Sequence, residues 1–213
     1  MMTMWVLQQQ HRMTRKRGLK LSKIYYLMGK SSSGKDTIYK KVLEELPHLK
    51  KIISYTTRPI RQGEIDGEEY YFVDEETLAK LEEDGKVIEQ RSYNTVHGIW
   101  KYFTASDGQI DLKKYDYIVI GTLASYNEMC KYLGEEKLVP IYIQIVDGVR
   151  LERALKREKA QENPRYEEMC RRFLADSEDF SEEKLEDAKI TKRFDNENLQ
   201  DCLKEVIKYI KSS

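Results

Sequence analysis

The groups in this 213-residue chain best suited to chemistry are a lysine following a glycine-bounded loop, a pair of arginines three residues apart, and a run of arginines further on. All are cationic, and each sits where several positive groups could converge on one anion. Such groups bind phosphate and stabilise the charge that builds up when a phosphoryl group moves.

The sharpest of the three is Gly29-Lys30-Ser31-Ser32-Ser33-Gly34-Lys35-Asp36-Thr37. Glycine, four residues, glycine, lysine is the spacing of a phosphate-binding P-loop. The glycines let successive backbone N–H groups curl around phosphate oxygens, and the following helix presents its free N–H groups and positive dipole end. Lys35 then reaches the outer phosphates as a mobile point charge. The residue after the lysine is Asp36 instead of the usual hydroxyl residue, with Thr37 one step later. Two roles stay open for Asp36: an oxygen ligand for magnesium, or a helix cap with the metal held elsewhere. Asp36 or Thr37 is the candidate metal ligand.

The flanks agree with this reading. Ile24–Met28 is a short apolar strand, and Ile38, Val42, Leu43 and Leu46 fall at helical spacing until Pro47 stops the helix. Lys50–Tyr55 reads as a second strand, 56–69 as a loop, and Tyr70–Val73 as another short strand. Asp74 caps a helix running to Asp84, and Val87–Arg91 and Trp100–Thr104 are strands of a small mixed lobe. A buried-type strand, Tyr115–Ile120, resumes the core, followed by a helix over 123–133 and a strand over Leu138–Val146. Asp147 caps a helix to Glu158, a second helix spans Tyr166–Phe180, and Ala188–Thr191 is a brief last strand. Leu199, Cys202, Leu203, Val206, Ile207 and Ile210 then line one face of a final helix. Strands alternating with helices predict an α/β fold with a parallel sheet flanked by helices, its ligands at the carboxyl ends of the strands.

Composition sets the outer bounds. With 40% apolar and 35% charged residues, the chain is expected to be a soluble globular protein. No apolar run approaches the roughly 18 residues needed to span a bilayer, and the net charge of zero advertises neither nucleic acid nor membrane. Six of the 37 basic residues lie within residues 1–23, which hold no acid, so the remainder is acidic. Residues 1–22 read as a basic, disordered extension. A presequence-like arm, an RNA-touching arm and a start at Met13 are the alternatives. Cys130, Cys170 and Cys202 lack any Cys-x-x-Cys spacing and read as reduced, packed thiols of a cytoplasmic protein.

The stretch from Thr56 to Phe72 narrows the function. It carries Thr-Thr-Arg-x-x-Arg-x-Gly-Glu-x-x-Gly-x-x-Tyr-x-Phe, and so resembles the monophosphate-binding lobe of guanylate kinases over most of residues 23–213. The resemblance implies a nucleoside monophosphate kinase, a transferase of purine nucleotide metabolism that takes ATP with magnesium and gives GDP or dGDP from GMP or dGMP. It divides the domain into a core (23–54, 114–148 and 186–213), an acceptor lobe (55–105) and a helical lid (149–180). Arg58, Arg61 and Tyr70 would hold the acceptor phosphate, Ser54 would touch the guanine, and Glu89 would read its N1–H and 2-amino donors. Singly these residues read as a charged loop and a strand surface; at this spacing together they favour the site. Polar readout of this kind discriminates between bases by roughly 10⁴.

Arg150, Arg153, Lys156, Arg157, Lys159, Arg165, Arg171 and Arg172 form the third cluster. By resemblance Arg153, Arg157 and Arg172 match the lid arginines that, with Lys35, act on the transferred group. The bland alternative is a salt-bridged helix hairpin. Asn196 resembles a turn beside the adenine of ATP, although an Asn ahead of a helix is also simply a good cap.

The pattern departs from the family in two further places. Ile118–Thr122 carries none of the acids usual in that strand, and the segment after Glu89 reads Val96-His97-Gly98-Ile99, with His97 the candidate replacement for a phosphate-binding tyrosine. A P-loop kinase acting on another nucleotide or small phosphorylated acceptor is therefore the alternative. A non-catalytic phosphopeptide-binding module is less favoured, because Gly29, Gly34 and Lys35 are all present. The expected partners are ATP and GMP or dGMP, with the chain a monomer or homodimer.

Overall fold

The computed structural model describes residues 22–61, 63–95 and 98–213. Residues 1–21 of the basic extension, and His97, lie outside the described residues. Five strands form a wholly parallel sheet: β1 (Ile24–Met28), β2 (Lys50–Lys51), β7 (Tyr117–Ile120), β8 (Leu138–Gln144) and β9 (Arg193–Asp195), in the order β2-β7-β1-β8-β9. β1 is buried along its whole length. Its residues alternate between two apolar layers, Tyr25 and Leu27 facing one and Ile24, Tyr26 and Met28 the other, as a strand covered on both faces requires.

The first layer is closed by α1 (Lys35–Glu45), through Ile38 and Val42, and by α7 (Leu199–Ser212), through Cys202, Leu203, Val206 and Ile210. The second is closed by α3 (Leu123–Leu133) and α6 (Glu182–Asp187), through Leu123, Tyr126, Met129 and Leu185. β1 leads into the phosphate loop and the end of β8, at Ile143, lies beside it, so the sheet presents that loop at its carboxyl edge.

A second, four-stranded sheet forms the lobe: β3 (Tyr55–Thr56), β4 (Tyr71–Phe72), β5 (Val87–Thr95) and β6 (Gly98–Ala105), in the order β4-β3-β6-β5. It packs on α2 (Glu75–Glu83) around Leu78, Phe103 and Ala105. α4 (Asp147–Lys159) and α5 (Tyr166–Asp179) follow as two successive helices packed on each other. Among the described residues, no helix is long and apolar enough to cross a membrane.

Several sequence expectations need correction. Lys50–Tyr55 is not one strand. Lys50 and Lys51 pair with β7 of the core, and Tyr55 and Thr56 pair with β6 of the lobe, so 52–54 carry the chain between two sheets. The last strand is Arg193–Asp195 instead of 188–191, which follows a helix the sequence reading did not include. Asp147 is the first residue of α4 and makes no capping bond; its carboxylate instead accepts from Arg150 Nε at 3.0 Å. Cys170 is exposed, whereas Cys202 is packed and Cys130 is half-buried.

Candidate active site

The phosphate loop is shaped by two close contacts. A Cβ on Gly29 would lie 2.3 Å from the Ile143 carbonyl oxygen, so only glycine lets the loop leave β1 beside β8. Gly34 stands at the N-cap of α1 with φ +88°, and a Cβ there would meet Asn196 Nδ2 at 2.2 Å. Asn196 is buried and donates from Nδ2 to the Ser33 carbonyl at 2.7 Å, propping the loop from behind. Asn198, two residues on, is the cap of α7. The cap reading thus belongs to Asn198, and Asn196 faces the phosphate loop.

Gly34, with no side-chain bond, is the N-cap of α1, so Asp36 is not a cap. Asp36 and Thr37 are both exposed in the first turn, with Asp36 Oδ2 3.9 Å from Lys35 Nζ. They offer one carboxylate and one hydroxyl beside the loop. That donor set suits a magnesium ion, which keeps most of its coordination for water and phosphate oxygens. Among the described residues, Ser32 Oγ and Ser33 Oγ are buried without a hydrogen-bond partner. Orphaned hydroxyls inside a cationic loop are groups that a phosphate can satisfy.

A cavity of about 610 Å³ opens against this loop, lined by Ser31, Ser32, Arg61, Trp100, Arg150, Arg157 and Arg172 among others. Arg61, from the loop before β4, Arg157 on α4 and Arg172 on α5 thus come to one space. The Arg61 guanidinium lies 5.8 Å over the Trp100 ring. Arg172 Nε donates to Glu168 at 2.8 Å, with Arg171 on the same carboxylate; the Arg171 bonds chiefly hold Glu168 well below its usual range, at about 2. Arg153 does not line the cavity. It donates from Nη2 to the Asn196 carbonyl at 3.1 Å, and its Nη1 lies 3.7 Å from where a Gly34 Cβ would stand, against the phosphate loop.

Arg150, which sequence reasoning counted but did not select, is fully buried. It stacks 3.8 Å over Phe173 and donates to Asp147 and to Asp176. Asp176 in turn accepts from the Ser31 amide at 2.7 Å. An arginine at i and an acid on the facing helix leave no local signal, which is why Asp176 is not visible from spacing.

In the lobe, Arg58 is buried and gripped through both terminal nitrogens by Glu64, at 2.7 and 2.6 Å. Burial opposes the Arg58 charge and the Glu64 bonds outweigh it, raising the guanidinium pKa. The same bonds lower that of Glu64. Tyr70 and Phe72 flank the guanidinium at 5.3 and 5.2 Å. Burial raises the Tyr70 phenol above its usual value, keeping it a hydrogen-bond donor.

Glu89 is buried on β5 and accepts from Thr104 Oγ1 at 2.8 Å. Thr104 Oγ1 lies 3.4 Å from Ser54 Oγ, so Ser54 and Glu89 share one polar corner. Arg91, absent from the sequence reading, donates from Nε to Glu89 at 3.1 Å.

Comparison with known proteins places this geometry. A family model described as guanylate kinase matches residues 21–213. The guanylate kinase of Oleidesulfovibrio alaskensis is 43% identical over 75 residues, 35% of each chain. That of Geobacter metallireducens is 35% identical over 75 residues, 35% of this chain and 36% of the relative. These alignments span about a third of the relatives' length. The crystal structure of guanylate kinase from Anaplasma phagocytophilum superposes with a TM-score of 0.64 at 20% identity, covering 90% of this chain and 86% of that one, a likeness of fold. Matched by that family model over residues 21–213, the chain belongs to the guanylate kinase family.

Proposed function

We propose that this protein transfers the γ-phosphoryl group of ATP to the phosphate of GMP or dGMP, giving ADP and GDP or dGDP. The observation that carries the reading is the arginine-lined cavity shared by the phosphate loop, Arg61 and Trp100 of the lobe, and the helices α4 and α5; Glu89 and Arg58 are buried within the lobe. The loop and Lys35 take the triphosphate. Arg58, Arg61 and Tyr70 take the acceptor phosphate, and Glu89 accepts from the guanine N1–H and 2-amino group.

In the transfer, the bond between the γ-phosphorus and its bridging oxygen breaks as an acceptor phosphate oxygen bonds to that phosphorus. The electron pair leaves with ADP, and no protein nucleophile takes part. Lys35, Arg157 and Arg172 act by positioning and by meeting charge on the transferred group, an effect worth roughly 10³–10⁵ in rate for a well-placed arginine. Arg153 contributes at one remove, by holding the Asn196 carbonyl that backs the loop. Asp36 or Thr37 would hold the magnesium that accompanies ATP, whose charge would neutralise the outer phosphates. Closure of the lid over the lobe excludes water, which would otherwise compete as acceptor.

Domain roles follow the same division: core 23–54, 114–148 and 186–213, acceptor lobe 55–105, lid 149–180. Incubation with γ-labelled ATP and GMP tests the reading: label recovered in GDP supports it. Label released only as inorganic phosphate, at a rate indifferent to GMP, contradicts it.

A further inference from the structure

Glu89 and Arg91 are two residues apart on β5, so their side chains stand on the same face of the lobe sheet. Arg91 is 19% and Glu89 2% exposed, and an arginine this enclosed needs a reason. Among the described residues, its contacts are mostly long. Nε lies 3.1 Å from Glu89 Oε2, Nη2 is 3.4 Å from Glu89 Oε1, and Nη1 is 3.4 Å from Thr122 Oγ1 at the start of α3. Two of these three contacts are longer than the usual range for N–H···O bonds, in contrast with the 2.6 and 2.7 Å grip of Glu64 on Arg58. Each terminal nitrogen also keeps an N–H beyond its named contact.

The pair therefore presents an accepting carboxylate edge beside a donating guanidinium edge. A 6-oxopurine is the complement of that order: its N1–H donor sits next to its O6 acceptor. Adenine has the order reversed, with a 6-amino donor beside the N1 acceptor, and would set donor against donor at Arg91. Arginine is also the usual partner of guanine O6 and N7 in nucleic-acid recognition, because its fork matches two acceptors on one edge.

We infer that Arg91 is a specificity-determining residue that donates to the 6-oxo group of the acceptor purine while Glu89 accepts from N1–H. The inference rests on the guanine-nucleotide reading of the site. A purely structural Arg91 would only tie β5 to Thr122 and α3, and the two roles separate in a substrate comparison.

The test uses the full chain, unmodified and as Arg91→Met and Arg91→Lys, with GMP and 6-thio-GMP as acceptors at saturating ATP. Sulfur at position 6 keeps N1–H and the 2-amino group but is a weak hydrogen-bond acceptor. The unmodified protein should favour GMP by about 10-fold or more in kcat/KM. Arg91→Met should lower kcat/KM for GMP by about 10–100-fold, the worth of one such contact, and bring the preference towards unity. The KM for ATP should not move. Arg91→Lys, which retains a single donor, should fall between the two and supplies the comparison if the methionine variant does not fold. Equal losses on both nucleotides, with the preference intact, overturn the inference and leave Arg91 a structural tie. An unmodified protein that turns over neither nucleotide overturns the guanine reading, and this inference with it.

Discussion

The Asp176 carboxylate reaches from α5 to the phosphate loop, where Oδ2 accepts the Ser31 amide at 2.7 Å while also accepting from Arg150 Nη1 at 3.3 Å. An acid thus holds a loop donor of the kind that binds phosphate oxygens in such loops. Asp176→Ala removes both the competing acceptor and a negative charge near the triphosphate. ATP should then bind about 3–10-fold more tightly, as expected for one partly screened charge at this range. Titration calorimetry with ATP reads it directly. Arg150 keeps Asp147 and the Phe173 ring, so the stability loss should be near 1 kcal/mol. Weaker ATP binding in a folded variant would show that Asp176 shapes the loop for the nucleotide instead of competing with it.

Gly34→Ala should disable the loop. Its φ of +88° disfavours a side chain, and the new Cβ would collide with Asn196 Nδ2 at 2.2 Å, breaking the bond to the Ser33 carbonyl. Backbone strain and the lost bond together amount to about 2–3 kcal/mol. Denaturant midpoints and ATP titration should both fall. Unchanged ATP affinity would mean that the prop behind the loop is dispensable.

Glu64 is the counter-charge of Arg58. Glu64→Gln leaves a buried guanidinium poorly paired and should cost about 2 kcal/mol, discounted from the larger penalty of a fully buried pair because Glu64 is 18% exposed. GMP, as a replacement anion, should raise the Tm of this variant more than that of the unmodified protein. The pH sign follows from the lowered Glu64 pKa. The pair's contribution is complete above the ordinary carboxylate value of 4.5 and is lost as pH falls below it. The stability gap between Glu64→Gln and the unmodified protein should therefore narrow on acidification below that value. A gap that stays constant would exclude the ion pair as its source.

The cysteines should react unequally. Burial pushes the Cys202 thiol up to about 12 and also raises Cys130, and the thiolate is the reactive form. Iodoacetamide at pH 8 should label exposed Cys170 first, with Cys202 protected until unfolding. Mass spectrometry of timed digests would show the order. Early labelling of Cys202 would mean that α7 opens readily from the sheet.

What could be read in advance was what local spacing encodes. The glycine and lysine positions of the phosphate loop, the apolar run of β1 and the apolar stripe of α7 all declare themselves within a dozen residues. Pairing across the chain does not. Nothing in Lys50–Tyr55 says that its two ends join different sheets, since the partners are Tyr117 and Ile118 at one end and Tyr102 and Phe103 at the other. Ile190 misled for a related reason. It is apolar and buried, but it packs as the anchor of a turn after α6, and Phe194 supplies the strand residue facing the core. Arg91 and Asp176 depend on Thr122 and Ser31, distant in sequence, and so left no pattern to find.

The central claim is guanine-directed phosphoryl transfer, and an acceptor panel tests it most directly. ADP release is measured with ATP and magnesium against GMP, dGMP, AMP, CMP and UMP, with Lys35→Ala as control. Turnover confined to GMP and dGMP, and lost in the control, is the predicted result. ATP binding with no turnover on any guanine nucleotide, or faster turnover on AMP or a pyrimidine nucleotide, would contradict the account.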